Sequence, residues 1–306
     1  MKSSHFARAL WFGILGALFF AFTFIFNRSM NLAGGSWMWS ASLRYLFSLP
    51  MMAVLVWQKG ELKGVLSAIA RAPWTWLLWS TLGFGLFYAP LSMASIYGES
   101  WFVAATWQIT ILAGLLLTPL FGQKIPGKQL GMTLLILLVI VLIQIPYFGR
   151  GLGEGVVRAS ILILIAAFSY PLGNRKMLVH CKEEQLSTTQ RVFGMTLMSV
   201  PFWLLLSIFA GLDAGLPSGG QMLQSLIVAV FSGVIATMLF FEATNLVKHN
   251  HQQLAVVEAT QAGEVLFTLF GGCLFLGDQI PTPLGFLGVF IVIIGIVGNS
   301  LMTSSD

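Results

Sequence analysis

The chain has 306 residues, of which 57% are hydrophobic and only 9% charged, and its formal net charge is +5. Soluble domains carry about 25% charged residues, so this composition, with a mean hydropathy of +0.86, excludes an ordinary cytosolic enzyme. No stretch is long and polar enough to hold a catalytic module outside a membrane.

At about 20 apolar residues per bilayer crossing, this length accommodates ten helices joined by short loops. Apolar runs broken by proline, glycine or charge predict spans over 10–26, 37–57, 74–97, 101–121 and 129–148 in the first half. In the second half they predict spans over 156–177, 192–211, 223–247, 252–275 and 284–302. The first run follows Lys2 and Arg8, as in a secretory signal, but no small-x-small cleavage site comes after it and it reads as a retained span. Pro90, Pro119 and Pro171 fall inside runs, where membrane helices tolerate proline. Trp37, Trp39, Trp57, Trp74 and Trp76 sit at run ends, as interfacial anchors do. The 58–73 segment alternates apolar and basic residues and suits a short amphipathic segment on the inner surface. Cys181, in a polar loop, and Cys273, deep in an apolar run, form neither a metal spacing nor a disulfide framework.

With the N-terminus inside, twelve basic residues fall in cytoplasmic segments, three (Arg28, Arg150, Arg158) fall outside, and Arg44 lies at the edge of a span. The positive-inside rule therefore places both termini in the cytoplasm of an inner-membrane protein. The chain also repeats itself. Asn27-Arg-Ser-Met30 is echoed by Asn174-Arg-Lys-Met177, and Arg44 by Arg191, at a shift of 147 residues. Val103-Ala-Ala-Thr106 is echoed by Val257-Glu-Ala-Thr260 at 154, and Gly122-Gln-Lys-Ile-Pro126 by Gly277-Asp-Gln-Ile-Pro281 at 155. Five spans per half is an odd number, so the halves, residues 1–150 and 151–306, enter the membrane from opposite sides as inverted repeats. The expected fold is all-α: ten transmembrane helices in two five-helix repeats.

Leu43-Arg-Tyr-Leu-Phe47 opening the second helix and the two Gly-x-x-Ile-Pro loops resemble the drug/metabolite transporter superfamily and its EamA-like ten-helix members. Val256-Val-Glu-Ala-Thr-Gln-Ala-Gly-Glu-Val-Leu-Phe267 further resembles the branch of multidrug-resistance efflux transporters. The resemblance covers nearly the whole chain and implies an exporter. Small four-helix relatives bind proton and cation through a glutamate in their first helix. Residues 10–26 contain no acid, so that role does not carry over.

An ionised side chain at mid-membrane costs about 2.5–3.5 kcal/mol, so each one calls for a reason. Glu264 lies twelve residues past Gln252, roughly 18 Å along a helix and near the midplane. Thr260, Glu264 and Thr268 share a face at i, i+4, i+8 with Gln261 beside them, and their echoes are Thr106, Thr110 and Gly114. Two such stripes are expected to face each other across a central cavity. Glu264, with Glu258 about 9 Å nearer the cytoplasm, is the candidate proton and substrate carboxylate. A cationic solute arriving there would release its proton, giving antiport. Tyr88, Trp101 and Trp107 are candidate aromatic faces for an organic cation. Each of these residues also has a packing role open to it. Arg44 and Arg191 can reach the interface or clamp a substrate carboxylate. Glu242 is expected to snorkel or pair with a basic residue, and Asn27, Asn174 and their adjoining arginines to cap helix ends or line the two mouths. His249 and His251, with no nearby acid, read as solvated.

The reading is a secondary-active exporter of a small cationic or lipophilic solute, working by alternating access and coupled to protons. The rival is an exporter of an amino acid or related metabolite held by Arg44 or Arg191, with an intramembrane enzyme remote. The expected partners are the solute, the lipid bilayer and protons. No nucleic acid, cofactor or metal is expected, in a monomer or homodimer.

Overall fold

The computed structural model describes residues 2–122, 153–247 and 259–303, together with residues 125, 131, 134, 138, 253, 256 and 257. The elements among the described residues are helices, with no strand. Helix α1 (Lys2–Leu32) is joined to α2 (Trp37–Gln58) by a turn containing Gly34 at φ 77°. Helix α3 (Leu62–Arg71) buries Val65 and Ala68 and exposes Lys63, Ser67 and Arg71, an amphipathic pattern, with Leu66 exposed beside them. Helix α4 (Pro73–Ala94) opens on Pro73, whose missing N–H costs nothing in a first turn. Helix α5 (Ser100–Leu116) gives way to a 3-10 turn, Thr118–Phe121. Pro119 lies in that turn and ends the helix, where the sequence suggested an interior proline.

The second half begins with α6 (Gly153–Glu183) and α7 (Thr188–Ala214), followed by α8 (Gly219–Val247), α9 (Thr260–Leu276) and α10 (Pro283–Thr303). Among the described residues six helices, α1, α2, α4, α6, α7 and α8, are long and apolar enough to cross a bilayer. Ser100–Leu116 and Thr260–Leu276 are shorter apolar helices, and the Pro283–Gly295 part of α10 is apolar as well. The span expected over 129–148 falls almost wholly outside the described residues, as do Glu258, His249 and His251. Two local expectations are corrected. Cys181 is in α6 and buried rather than in a loop, because α6 runs on to Glu183. Trp76 is fully buried against Gly194 of α7, whereas Trp57 and Trp74 are exposed as interfacial anchors would be.

Irregularities recur in the two halves. Helices α4 and α8 each contain a π-helical stretch, Thr81–Gly85 and Ala229–Ala236. Helix α5 breaks at Gln108, and α9 opens with a 3-10 turn over Thr260–Ala262. Gly122 and Gly277, which head the echoed loops, both take the left-handed conformation, at φ 73° and 66°. Helix packing is likewise paired: α1 lies on α8 and α9, and α6 lies on α4 and α5. Helix α2 packs on α7 and α8, and α7 on α2 and α4. Tyr45 stacks on Trp203 at the α2–α7 contact, with ring centroids 4.5 Å apart.

Successive long helices alternate in direction, so their connections gather at two ends. At the basic end, Lys59 Nζ donates to Thr189 Oγ1 at 2.8 Å, Gln190 Nε2 donates to the Glu61 carbonyl at 2.9 Å, and Arg71 pairs with Glu184. The Arg71 hydrogen bond holds the half-buried Glu184 carboxyl below the usual carboxylate range. Ser187 closes a capping box with Gln190 at the start of α7 and donates to Glu61 Oε2 at 2.7 Å. Ser187→Ala is expected to lower stability by about 1–2 kcal/mol, read as a lower melting temperature in detergent. At the far end, Trp39 Nε1 donates to the Gly215 carbonyl at 2.8 Å and Gln221 Nε2 donates to the Ser36 carbonyl at 2.6 Å. Trp101 is buried there, with its Nε1 donating to the Gln279 carbonyl at 3.0 Å.

Candidate functional site

A cavity of about 610 Å³ lies between the long helices and α5 and α9. Its polar wall starts at Arg44 of α2, which is 9% exposed despite its charge. The guanidinium stacks over the Tyr88 ring at 4.1 Å, and Nη2 donates to Ser232 Oγ at 3.2 Å. Ser232 in turn bonds Thr23 Oγ1 at 2.6 Å, so one hydroxyl pair ties α1, α2 and α8 together. Ser232 and Gly233 lie in the π-helical stretch of α8, whose extra residue per turn rotates this segment out of α register. A Cβ at Gly233 would meet Ser48 Oγ at 2.7 Å, so a side chain there would have to turn the Ser48 hydroxyl aside.

Glu264 of α9 is 8% exposed and lines the cavity, as does Gln261, whose Nε2 is buried without a partner. Glu264 and Arg44 are close enough to feel each other's charge without forming an ion pair. The expected polar stripes are only partly realised. Thr110 lines the cavity and donates to the Ala167 carbonyl at 3.2 Å. Thr268 turns back onto the Glu264 carbonyl at 2.7 Å, Thr260 onto that of Val257 at 2.6 Å, and Thr106 is buried off the wall. The 3-10 turn shifts Thr260 against Glu264 and the break at Gln108 shifts Thr106 against Thr110, whereas Thr268 keeps its i, i+4 register with Glu264 and spends its hydroxyl on the helix backbone. Gln108 itself reaches the wall.

Trp107 lines the cavity in a cluster with Phe87 at 5.1 Å and Tyr170 at 5.7 Å. Tyr88 is fully buried beneath Arg44 and bonded to Asn27, whose Nδ2 donates to its hydroxyl at 3.1 Å. Its face is thus taken by the protein's own cation. Arg175 and Arg191 also reach the cavity wall, with Asn174 beside them. Arg175 and Ser232 were not singled out as cavity residues from sequence. The sequence places Arg175, with Asn174, at a helix end or at a mouth of the pathway, and a serine in an apolar run carries no signal of its orientation.

The two ends of the cavity differ. On the far side Asp278, in the α9–α10 loop, accepts from Ser100 N at 2.8 Å and Ser100 Oγ at 2.5 Å, and it lies 3.8 Å from Arg28 Nε. Arg28 Nη1 donates to the Ser95 carbonyl at 3.1 Å, so this knot joins the ends of α1, α4, α5 and α9. Toward the basic end a groove of about 1010 Å³ separates α2 and α7 from α1 and α8, with Lys59 and Thr188 on one wall and Arg8 and Asn245 on the other. Glu242 lies exposed in this groove, and Phe240 and Phe241 border groove and cavity alike.

Residues 7–305 match the family model described as "EmrE: Putative multidrug resistance efflux transporter". The chain is similar to the "Uncharacterized protein YjlA" of Bacillus subtilis (strain 168), 47% identical over 306 residues that cover 95% of this chain and 93% of the relative. It is also similar to the "Uncharacterized 42.1 kDa protein in intracellular alkaline protease 3'region" of Shouchella clausii. That relative is 41% identical over 267 residues, 84% of this chain and 70% of its own length.

Proposed function

The chain belongs to the EmrE family of multidrug resistance efflux transporters, and from that membership we propose that it exports a small organic solute through the central cavity by alternating access. It is a multi-pass membrane protein. In our reading the basic end faces the cytoplasm of the inner membrane, together with both termini, and the two halves are inverted repeats. The paired π-helical stretches, the paired left-handed glycines and the exchangeable helix contacts support that repeat.

One observation supports the functional reading: a buried Asp278 knot ties the helix ends together at the far side, while a groove separates the helices at the basic end. That arrangement suits an inward-facing state awaiting its solute. Solute would enter past Phe240 and Phe241, and export would require the knot to open as the groove closes. Glu264, the acid on the described cavity wall, is the group whose protonation we link to solute occupancy. The protein works as a monomer or homodimer, and each cavity is built within one chain.

The test is flux of a solute panel by purified protein in liposomes, with and without an imposed pH gradient. Wild-type flux is expected to respond to the gradient and that of Glu264→Gln to ignore it. Solute-driven proton movement that survives in Glu264→Gln would remove the coupling role. Absence of flux for every solute would remove the transport reading.

A further inference from the structure

Charge is unevenly divided on the cavity wall. Arg44, Arg175 and Arg191 stand against Glu264 among the described lining residues. The ion pairs among the described residues are Arg28–Asp278, Arg71–Glu184 and Arg158–Glu154, so none of the three cavity arginines is neutralised by a contact. Arg175 donates to the Gly114 carbonyl at 2.5 Å, and Arg44 uses Nη2 on Ser232. Among the described residues Arg44 Nη1 and Arg191 Nε are buried without a hydrogen-bond acceptor, although the Arg44 guanidinium rests on the Tyr88 ring. A buried donor left unfilled forfeits its hydration, and a guanidinium presents a planar fork matched to a carboxylate. Excess positive charge in a low-dielectric cleft draws anions and repels cations.

Resting on the transport reading above, we propose that the solute is an aromatic organic anion. Its carboxylate is taken by Arg44 and its ring lies on the Phe87–Trp107–Tyr170 cluster. Tyr170 lies within electrostatic reach of both Arg44 and Arg191, which places the aromatic wall beside the cationic one. The cationic solute that the sequence suggested would meet three like charges, and Tyr88, one of the rings offered to it, is already covered by Arg44. Glu264 then has a different role: it is the one acid among the described lining residues, set apart from Arg44 and competing at a distance with the solute carboxylate for the positive wall. An inside-negative membrane potential pushes an anion outward, so export of this solute has a driving force of the right sign.

The test uses three probes of matched shape, naphthoate, naphthamide and naphthylmethylammonium, against purified full-length protein in detergent. Equilibrium dialysis with radiolabelled naphthoate is expected to show binding that the ammonium does not displace and the amide displaces weakly. Arg44→Gln is expected to weaken naphthoate at least tenfold, with Arg44→Lys recovering part of the loss. Glu264→Gln removes the competing charge and is expected to tighten naphthoate several-fold, which keeps the proposal testable if Arg44→Gln does not fold. Binding of the ammonium in preference to naphthoate, or loss of naphthoate binding in Glu264→Gln, would overturn the anion assignment. Liposome flux separates the two readings. Ammonium flux without naphthoate binding sinks the anion and leaves the transporter, whereas naphthoate binding without flux of any probe supports the anion and sinks the transporter.

Discussion

Gly173→Val is expected to yield little or no folded protein. Helices α4 and α6 cross with Gly83 against Gly173, and a Cβ at Gly173 would overlap the Cα and N of Gly83 and lie 2.8 Å from the Trp79 carbonyl oxygen. These are backbone atoms, so no rotamer change relieves the overlap. Small residues permit close backbone approach between membrane helices, and any side chain there must push whole helices apart. Overpacking a core usually costs about 1–3 kcal/mol through side-chain and backbone shifts, and here the cost falls on two spans that carry Tyr88, Phe87 and Tyr170. The helix contact also lies in the π-helical stretch Thr81–Gly85, where the extra residue bulges toward its neighbour. Gly219→Ala is the control, since nothing lies within 4 Å of a Cβ built there. Size-exclusion recovery in detergent reads the outcome: a monodisperse wild-type-like peak for Gly173→Val would mean that the two helices do not meet at these glycines.

What was legible in the sequence was whatever depends on composition along one helix. Runs of apolar residues predicted the long helices, with ends moved outward by a few residues, as α1 runs to Leu32 and α6 to Glu183. The echoed loops were legible because a left-handed turn selects glycine, and Gly122 and Gly277 both adopt it. Glu264 was legible because an acid in an apolar run is costly wherever it points. What could not be read was rotation about a helix axis after an irregular turn. The π-helical stretches that orient Ser232 and seat Gly83 against α6, and the 3-10 turn that shifts Thr260 against Glu264, depend on tertiary packing rather than on local composition. Weighing lone acids against cations was a second limit. Arg175 sits beside Asn174 in a motif suggestive of a helix end, yet the long α6 carries it to the cavity wall. The net charge of the site became visible only once four helices had been brought together.

Asp278→Ala is expected to convert the protein from far-end-closed to far-end-open. The Asp278 side chain is 2% exposed and holds the first amide of α5, the Ser100 hydroxyl and Arg28 at once. A carboxylate at a helix N-terminus is favoured by the helix dipole as well as by its hydrogen bonds. Removing one partner of a buried charge pair costs about 3–5 kcal/mol, and in alternating access these contacts exist only while the far end is shut. The penalty therefore falls on the closed state and leaves the open one untouched, so that even about 3 kcal/mol shifts the equilibrium roughly a hundredfold. Asp278→Asn keeps an acceptor for Ser100 but loses the charge, and is expected to lie between the two. The reporter is Ser92→Cys, a fully buried position beneath the knot, in a background with Cys181 and Cys273 replaced by serine. A membrane-impermeant maleimide applied from the far side is expected to label Ser92→Cys slowly with Asp278 present and rapidly without it, at an unchanged size-exclusion profile. Equal labelling rates in the folded proteins would mean that the knot is structural and that the far end opens by some other route.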